Sequence, residues 1–566
     1  MRILFSALGK RCQEKGIIIP LVLVFGATFL LMLGGILGFV LFQERYSLRR
    51  VAWNQALHLA EAGANYYRWH INHTPQGENA DIQDGNDWCC KVGGVSYSAT
   101  SSQCQDGDFT VCGTCDGKPC YVHSYIDPET NATTGEFVLK IKAKKICGKY
   151  LGVYVYSTGY TTKYPEIKRT VLVKYASTPI AEYGSIIDEA VWRATDEKTY
   201  GKFHTNHGIR MDAVNNSLVT SEVNQWVCTP SFSCCGDAWG CNCEWSEALG
   251  CYRVGGPWWC SGVCSDLDVP EGCVWSTTTH QAECNGICGA GGPKDLWKYP
   301  AFHFNFAALT NDLNGMKQLA EESETERGQD EVQHLSPSGA EGYHIILHSD
   351  RTYDIKRVNS VGGIPNAYDM QEKDWITSEE IIISETTLKA NVPLPSDCGL
   401  IFVEDNLWIE GTVKGKITIA AAVPDDDAKD PDIFINNNLD YTTLEGPDSL
   451  ALIAENNVLI TAYCAGAGND ITARGVFVAQ KGYVGRRGYW GLPYNVRVRN
   501  RLLTYGTIVS EIRGEVTYIF TDGTIFSGFQ HWDNYFDERL ARDPPPLLPY
   551  VSPELQTISW EEIPPE

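Results

Sequence analysis

None of the short motifs that mark a hydrolase or a nucleotide site occurs in this chain of 566 residues: there is no G-x-S-x-G, no H-E-x-x-H and no glycine-rich phosphate loop. An excess of positive charge is missing too. With 46 Lys+Arg against 70 Asp+Glu the formal charge is −24, which argues against non-specific nucleic-acid binding and against docking on anionic lipid. No nucleic-acid partner is expected. Paired CxxC knuckles at matched spacing are absent, and this weighs against zinc for Cys112-x2-Cys115-x4-Cys120 and for Cys241-x-Cys243. What remains is a chain with 43% hydrophobic residues, enough to build several cored domains.

Charge is absent altogether from one stretch, Ile17 to Phe42. As a helix it rises about 39 Å, against a hydrocarbon core of about 30 Å. It can span a bilayer, and it is longer than the apolar stretch of a cleaved secretion signal. Arg2, Lys10, Arg11 and Lys15 precede it with only Glu14 against them, which places the N-terminus in the cytoplasm and the body outside. Arg45, Arg49 and Arg50 follow it and weaken that bias. Beyond the span, Leu48, Ala52, Ala56, Leu59, Gly63 and Tyr66 recur every three or four residues, and no proline interrupts 51–71. The spacing predicts one rod of roughly fifty residues, half in lipid and half outside.

Cysteine is plentiful and clustered. Seven lie at Cys89, Cys90, Cys104, Cys112, Cys115, Cys120 and Cys147, and eleven at Cys228, Cys234, Cys235, Cys241, Cys243, Cys251, Cys260, Cys264, Cys273, Cys284 and Cys288. Cys12, Cys398 and Cys464 stand alone. Such clusters suit disulfide-stapled loops in an oxidising compartment, which agrees with an exported body. Each cluster is odd, so each leaves at least one thiol to pair elsewhere or stay free, and connectivity is not readable.

The body changes character along its length. "TGEFVLKIKAKKICGKYLGVYVYSTGYTTKYPEIKRTVLVKY" alternates apolar and polar residues in three runs and predicts an antiparallel sheet, with Val138, Ile141 and Val153 facing Leu59 and Tyr66. From 180 onward, runs such as "GLIFVEDNLWIEGTVKGKITIAAA" and "SLALIAENNVLITAY" are rich in Ile, Val and Leu and punctuated by Gly, Asn and Asp. Strands buried inside a solenoid read this way. The fold expected is mainly β: a long N-terminal transmembrane α-helix, a small antiparallel β domain, then a right-handed parallel β-helix with cysteine-rich insertions. A β-sandwich is the alternative. Trp226, Trp239, Trp245, Trp258, Trp259 and Trp275 make the second cysteine cluster either a contact surface or a plugged small core. After it, Phe306, Leu309, Leu313, Met316 and Leu319 mark an amphipathic helix that caps or flanks the solenoid.

Candidate chemistry is thin. Glu404, Asp405 and Glu410 are the carboxylates a glycan-active β-helix enzyme would use if they converged, and solvated corners are their ordinary reading. His204 and His207 in "FHTNHGI" suit a stacked, hydrogen-bonded turn better than a metal. Calcium is the one cofactor to consider, at Asp425, Asp426, Asp427, Asp430 and Asp432, or at Asp81, Asp84 and Asp87, because hard oxygen ligands in loops suit it. A solvated acidic loop is the competing reading.

Gly16 after a basic leader, the span that begins at Ile17, and "AEAGANYYRW" (Ala60 to Trp69) resemble the N-terminal region of type IV pilin-like proteins, especially PilX-type minor pilins. The resemblance implies cleavage by a prepilin peptidase between Gly16 and Ile17, which removes Cys12. The pattern's Glu at the fifth mature position is Leu21 here, which points away from a major subunit. The order of "FHTNHGI", "LWIEGTVKGKITIAA" and "LALIAENNVLI", with the tail from Tyr535, is similar to PilX-related proteins with β-helix bodies. The organisation expected is a leader (1–16), a transmembrane and stalk helix (17–73), the antiparallel domain with its cysteine insertion (74–179), the start of the β-helix (180–225), a cysteine- and tryptophan-rich insertion (226–295), a helical segment (296–335), the main β-helix (336–540) and a Pro-rich tail (541–566). By resemblance the chain is a non-catalytic minor pilin, with other pilins, the pilus assembly machinery, the peptidase and the membrane as partners and a surface or glycan ligand. The alternatives are an anchored adhesin outside any filament and a glycan-active enzyme.

Overall fold

The computed structural model describes residues 18–73, 89–92, 95–98, 110–115, 118–146, 149–195, 197–228, 242–246, 251–255, 269–276, 281–327, 334–395, 398–426, 428–464, 469–520 and 523–565. The chain divides into two compact units, one of residues 1–143, 153–175 and 559–566, the other of 144–152 and 176–558.

The first unit is built on one helix, α1 (Ile18–His73). Its N-terminal half is apolar and exposed throughout, with Leu23, Leu31 and Phe42 bare, and it is long and apolar enough to cross a membrane. Its second half is amphipathic: Ala52, Ala56, Leu59, Ala60, Ala64 and Tyr67 are buried at helical spacing. They face an antiparallel sheet of β1 (Thr110–Cys115), β2 (Lys118–Ile126), β3 (Thr133–Ile146), β4 (Lys149–Thr161) and β5 (Tyr164–Pro179). A further strand, Tyr550–Ile563, lies beside β5, so the expected Pro-rich tail ends as a sheet strand.

Small residues set the helix-to-sheet distance. A Cβ on Gly159 would lie 2.2 Å from the Ala56 carbonyl oxygen, and one on Gly63 2.3 Å from Ser157 Oγ. Two expected contacts shift by one residue. Phe137, Leu139 and Ile141 form the buried face, with Val138 only half-buried, because strand side chains alternate and 138 and 141 cannot share a face. On the helix Tyr67 is the buried ring and Tyr66 is half-exposed against His123 and Phe137.

The second unit is a large, parallel-rich sheet. Its strands are β6 (Tyr183–Ile187), β7 (Lys202–Thr205), β8 (Val219–Ser221), β9 (Trp297–Lys298), then, after helix α2 (Leu309–Arg327), β10 (His334–Leu335), β11 (Gly342–Leu347), β12 (Thr352–Asp369), β13 (Asp374–Pro393), β14 (Leu400–Val403), β15 (Leu407–Val413), β16 (Lys416–Ala421), β17 (Ile433–Tyr441), β18 (Ser449–Ala454), β19 (Val458–Ile460), β20 (Asp470–Ala479), β21 (Val498–Ser510), β22 (Thr517–Ile519) and β23 (Ile525–Tyr535). One parallel ladder runs β10-β14-β16-β18-β20-β21-β6-β7-β8-β9. A second runs β11-β15-β17-β19 and on to residues 484–485. From β14 to β19 the chain visits the two ladders alternately.

The first ladder is not in chain order. Its middle joins β21, late in the chain, to β6, near the start of the unit. Consequently β9 and β10, consecutive in sequence, sit at opposite ends, and α2 lies in the connection that returns from one to the other. Nine inter-strand steps span about 43 Å, and α2's 19 residues rise about 28 Å. Leu309, Leu313, Met316 and Ala320 of α2 share a core with Leu400, Phe402, Ala420, Ile453, Val476 and Val509. The alternate residues Ile401, Ile419, Leu452 and Phe477 enter a different core. These ladder strands are therefore covered on both faces, which is why they read as unbroken apolar runs.

Candidate contact surface

The sequence candidates separate. Glu404 accepts from Lys317 Nζ at 2.8 Å and pairs with His334 Nε2 at 2.7 Å. Burial raises its carboxyl, and Lys317 and His334 outweigh that and hold it low. Asp405 caps a turn, accepting from the Ser338 backbone and hydroxyl. Glu410 lies 3.4 Å from His344 Nε2, and that ring holds its carboxyl below the ordinary range. Each carboxylate has its own partner, an arrangement unlike a matched acid and base. The acidic loop also diverges: Asp425 meets Lys317, Asp426 the Ala428 amide, Asp430 meets Lys481, and Asp432 turns inward to Asn456 and Asn457. Asp427, Gly16, Ile17, Asp81, Asp84 and Asp87 lie outside the described residues.

His204 is fully buried, with Nδ1 2.9 Å from Thr220 Oγ1, Nε2 3.1 Å from Asn206 Oδ1, and its ring stacked on Phe302 at 4.0 Å. Burial brings its pKa down to about 4. His207 is exposed. The motif is a stacked, hydrogen-bonded turn.

Cys273 and Cys284, directly opposed on antiparallel strands, are bridged. Cys228 is also bridged, and so is Cys398, which the sequence reading left alone. Cys288 and Cys464 are buried free thiols, and burial pushes Cys288 up to about 12. Cys288 thus leaves the expected bridged set: its neighbours Cys273 and Cys284 are joined to each other. Cys104, Cys147, Cys234, Cys235, Cys241, Cys260 and Cys264 lie outside the described residues. So do Trp239, Trp258 and Trp259, while Trp226 packs its ring flat on Gly208.

A buried ionic network lies where the β12–β13 hairpin meets the parallel strands. Arg487 Nε donates to Asp369 at 2.7 Å, Arg487 Nη1 to Ser378 Oγ at 2.9 Å, and Asp432 lies 3.7 Å from Nη2. Burial pushes the Asp432 carboxyl up against the pull of Arg487. Glu380 accepts from Tyr489 Oη and from the Ala462 amide. Arg486, fully buried, donates to the carbonyls of Val496 and Arg497.

Those two carbonyls belong to the rim of the surface that sequence reasoning missed. Three segments, the tip of the β12–β13 hairpin, residues 488–497 and the β22–β23 hairpin, bring a row of rings together, exposed at Trp375, Trp490, Tyr494 and Phe520 and half-buried at Tyr368, Tyr518 and Phe526. Trp375 meets Tyr368 at 5.4 Å, Tyr368 meets Tyr518 at 6.3 Å, Tyr518 meets Phe526 at 5.9 Å, and Phe526 meets Phe520 and Trp490 at 5.0 and 5.8 Å. Arg497 lies over both Trp490 and Tyr494. Trp490 is 52% exposed, and Trp375, Tyr494, Ile519 and Phe520 are similarly bare. Backbone bonds fix the row: the Trp490 amide donates to Asn366, Tyr518 Oη to Arg486, and Arg497 Nη1 to Phe526. Clustered exposed rings on a rigid support are what a contact surface requires. The signal in the sequence was "GYWGLPY" and "TYIFTDGTIF", aromatics crowded around turn residues.

No family model and no curated protein matches the chain. Among solved structures it is similar to the competence-associated pilin ComZ from Thermus thermophilus, 11% identical over 90% of this chain and 97% of that one, with a TM-score of 0.21. At that score the likeness carries no argument by itself.

Proposed function

We propose that the chain is a minor pilin-like surface protein, anchored by the first half of α1, whose larger unit serves adhesion rather than turnover. The observation that carries this reading is the division of α1: one half bare and apolar over a bilayer's thickness, the other sealed by small residues onto an antiparallel sheet. In this reading the prepilin peptidase cuts after Gly16, the ladders are coils of a β-helix outside the cell, and other pilins hold the helix in a filament at low copy. The aromatic row is the surface through which a glycan or another cell surface is held, since rings stack on sugar faces and on apolar side chains alike. The dispersed, individually paired Glu404, Asp405 and Glu410 support a non-catalytic role.

Intact-mass measurement of membrane-extracted protein tests the class, with loss of the first sixteen residues expected; a full-length mature chain overturns it. In the same preparation Trp490→Ala is expected to abolish retention on immobilised cell-surface polysaccharide. Undiminished retention removes the aromatic row from the proposal.

A further inference from the structure

We propose that Glu321, His334 and Glu404 form a site for a divalent transition metal of the zinc class, one that fastens α2 to the end strand of the first ladder. One ligand atom from each residue lies within 4.8 Å of the others. They come from three elements, α2, β10 and the turn after β14, so the ladder's pairing and the packing of the return helix bring them together. One imidazole nitrogen and two carboxylate oxygens are a donor set that zinc accepts, with the fourth position left to water. The His334 and Glu404 side chains are only 9% and 12% exposed, so solvent screens them little. Glu321 is exposed and closes the site from the helix side.

Charge points the same way. Among the described residues Glu404 meets both His334 and Lys317, Lys317 also meets Asp425, and Glu321 lies beside them, so with a neutral ring a divalent ion balances three carboxylates and one ammonium. Glu404 divides its two oxygens. Oε1 is joined to His334 Nε2, and Oε2 to Lys317 Nζ, which also reaches Asp425 Oδ2 at 3.0 Å. The metal would take the place of the hydrogen between Nε2 and Oε1: a neutral ring then carries its one proton on Nδ1, and a protonated ring, which holds one there already, gives the other to solvent. Lys317 and Asp425 remain behind Glu404 and hold its plane, the usual task of groups behind a ligand. Position gives the site its purpose. Among the described residues β10 pairs with β14 at the end of the ladder, so an ion there ties that end strand to the helix that returns to it.

The test is calorimetric titration of zinc into the detergent-extracted full chain, its free thiols first blocked with N-ethylmaleimide. One equivalent is expected to bind and to raise the thermal midpoint. Glu404→Gln and His334→Ala should weaken binding by about a hundred-fold, and Glu321→Gln, whose exposed side chain is not needed for folding, by about ten-fold. No stoichiometric binding in the unaltered chain overturns the site. So does unchanged affinity in Glu321→Gln and Glu404→Gln, which would place the zinc elsewhere.

Discussion

The two units bury their cores by opposite means. Around α1 the larger rings and chains, such as Leu59, Tyr67 and Phe137, are seated by small neighbours, and Gly63, Gly135 and Gly159 let helix and sheet approach until a single added carbon would collide. In the ladder unit large aliphatic residues stack in register on both faces of the strands, and an ionic network is sealed between the hairpin and the ladder. The first region is limited by shape, the second by charge and volume.

The sharpest way to break this comparison is to remove one charge from the ladder unit. Asp369→Ala leaves Arg487 buried with its best partner gone, and an orphaned buried charge costs about 3–5 kcal/mol. The expected result is a large fall in the ladder unit's unfolding midpoint in denaturant, with α1 still docked on its sheet. An unchanged midpoint would mean that Asp432 and Glu380 suffice to hold the guanidinium and that charge is not the limiting quantity there.

Acid should reach the ladder unit by a second route. His204 is buried neutral with a folded pKa of about 4 against an ordinary 6.5. Its contribution is fully present above pH 6.5. As pH falls from 6.5 toward 4 the unfolded chain takes up a proton that the folded one refuses, and stability drops by about 3 kcal/mol in total. Below about pH 4 no further loss arises from this group. Replacement by Gln, which keeps a hydrogen-bonding side chain and cannot titrate, should flatten that part of a stability-against-pH curve.

The two regions were also unequally legible in sequence. The span, the stalk and α2 rest on local periodicity, and Leu309, Leu313 and Met316 are buried as their spacing requires. His204 was legible because its partners lie within one turn of chain or directly across a ladder. Features made by distant pairing were not. The sheet strand at 550–563, the junction of β21 with β6 and the long β12–β13 hairpin depend on which strands meet, and apolar runs do not encode that. The aromatic row needs three separate turns to converge, so its members looked like scattered exposed rings. The bridged state of Cys398 and the free state of Cys288 had no spacing signal at all.

The smallest expected effect falls on the shape-limited side. Gly159→Ala places a methyl 2.2 Å from the Ala56 carbonyl and 2.4 Å from the Ala60 amide, both backbone atoms that cannot rotate away. The helix has to move outward, and such overpacking costs about 2 kcal/mol. That displacement would also stretch the Tyr175 hydroxyl bond to the Ala64 carbonyl, now 2.8 Å. Limited proteolysis across 52–67 reads the loosening directly, and faster cleavage there with an unaltered ladder unit is the outcome expected. A second change, Ala56→Gly, removes a methyl and adds backbone freedom without moving the carbonyl, so it should not rescue Gly159→Ala. Rescue would show that side-chain bulk, not backbone approach, sets the distance between helix and sheet.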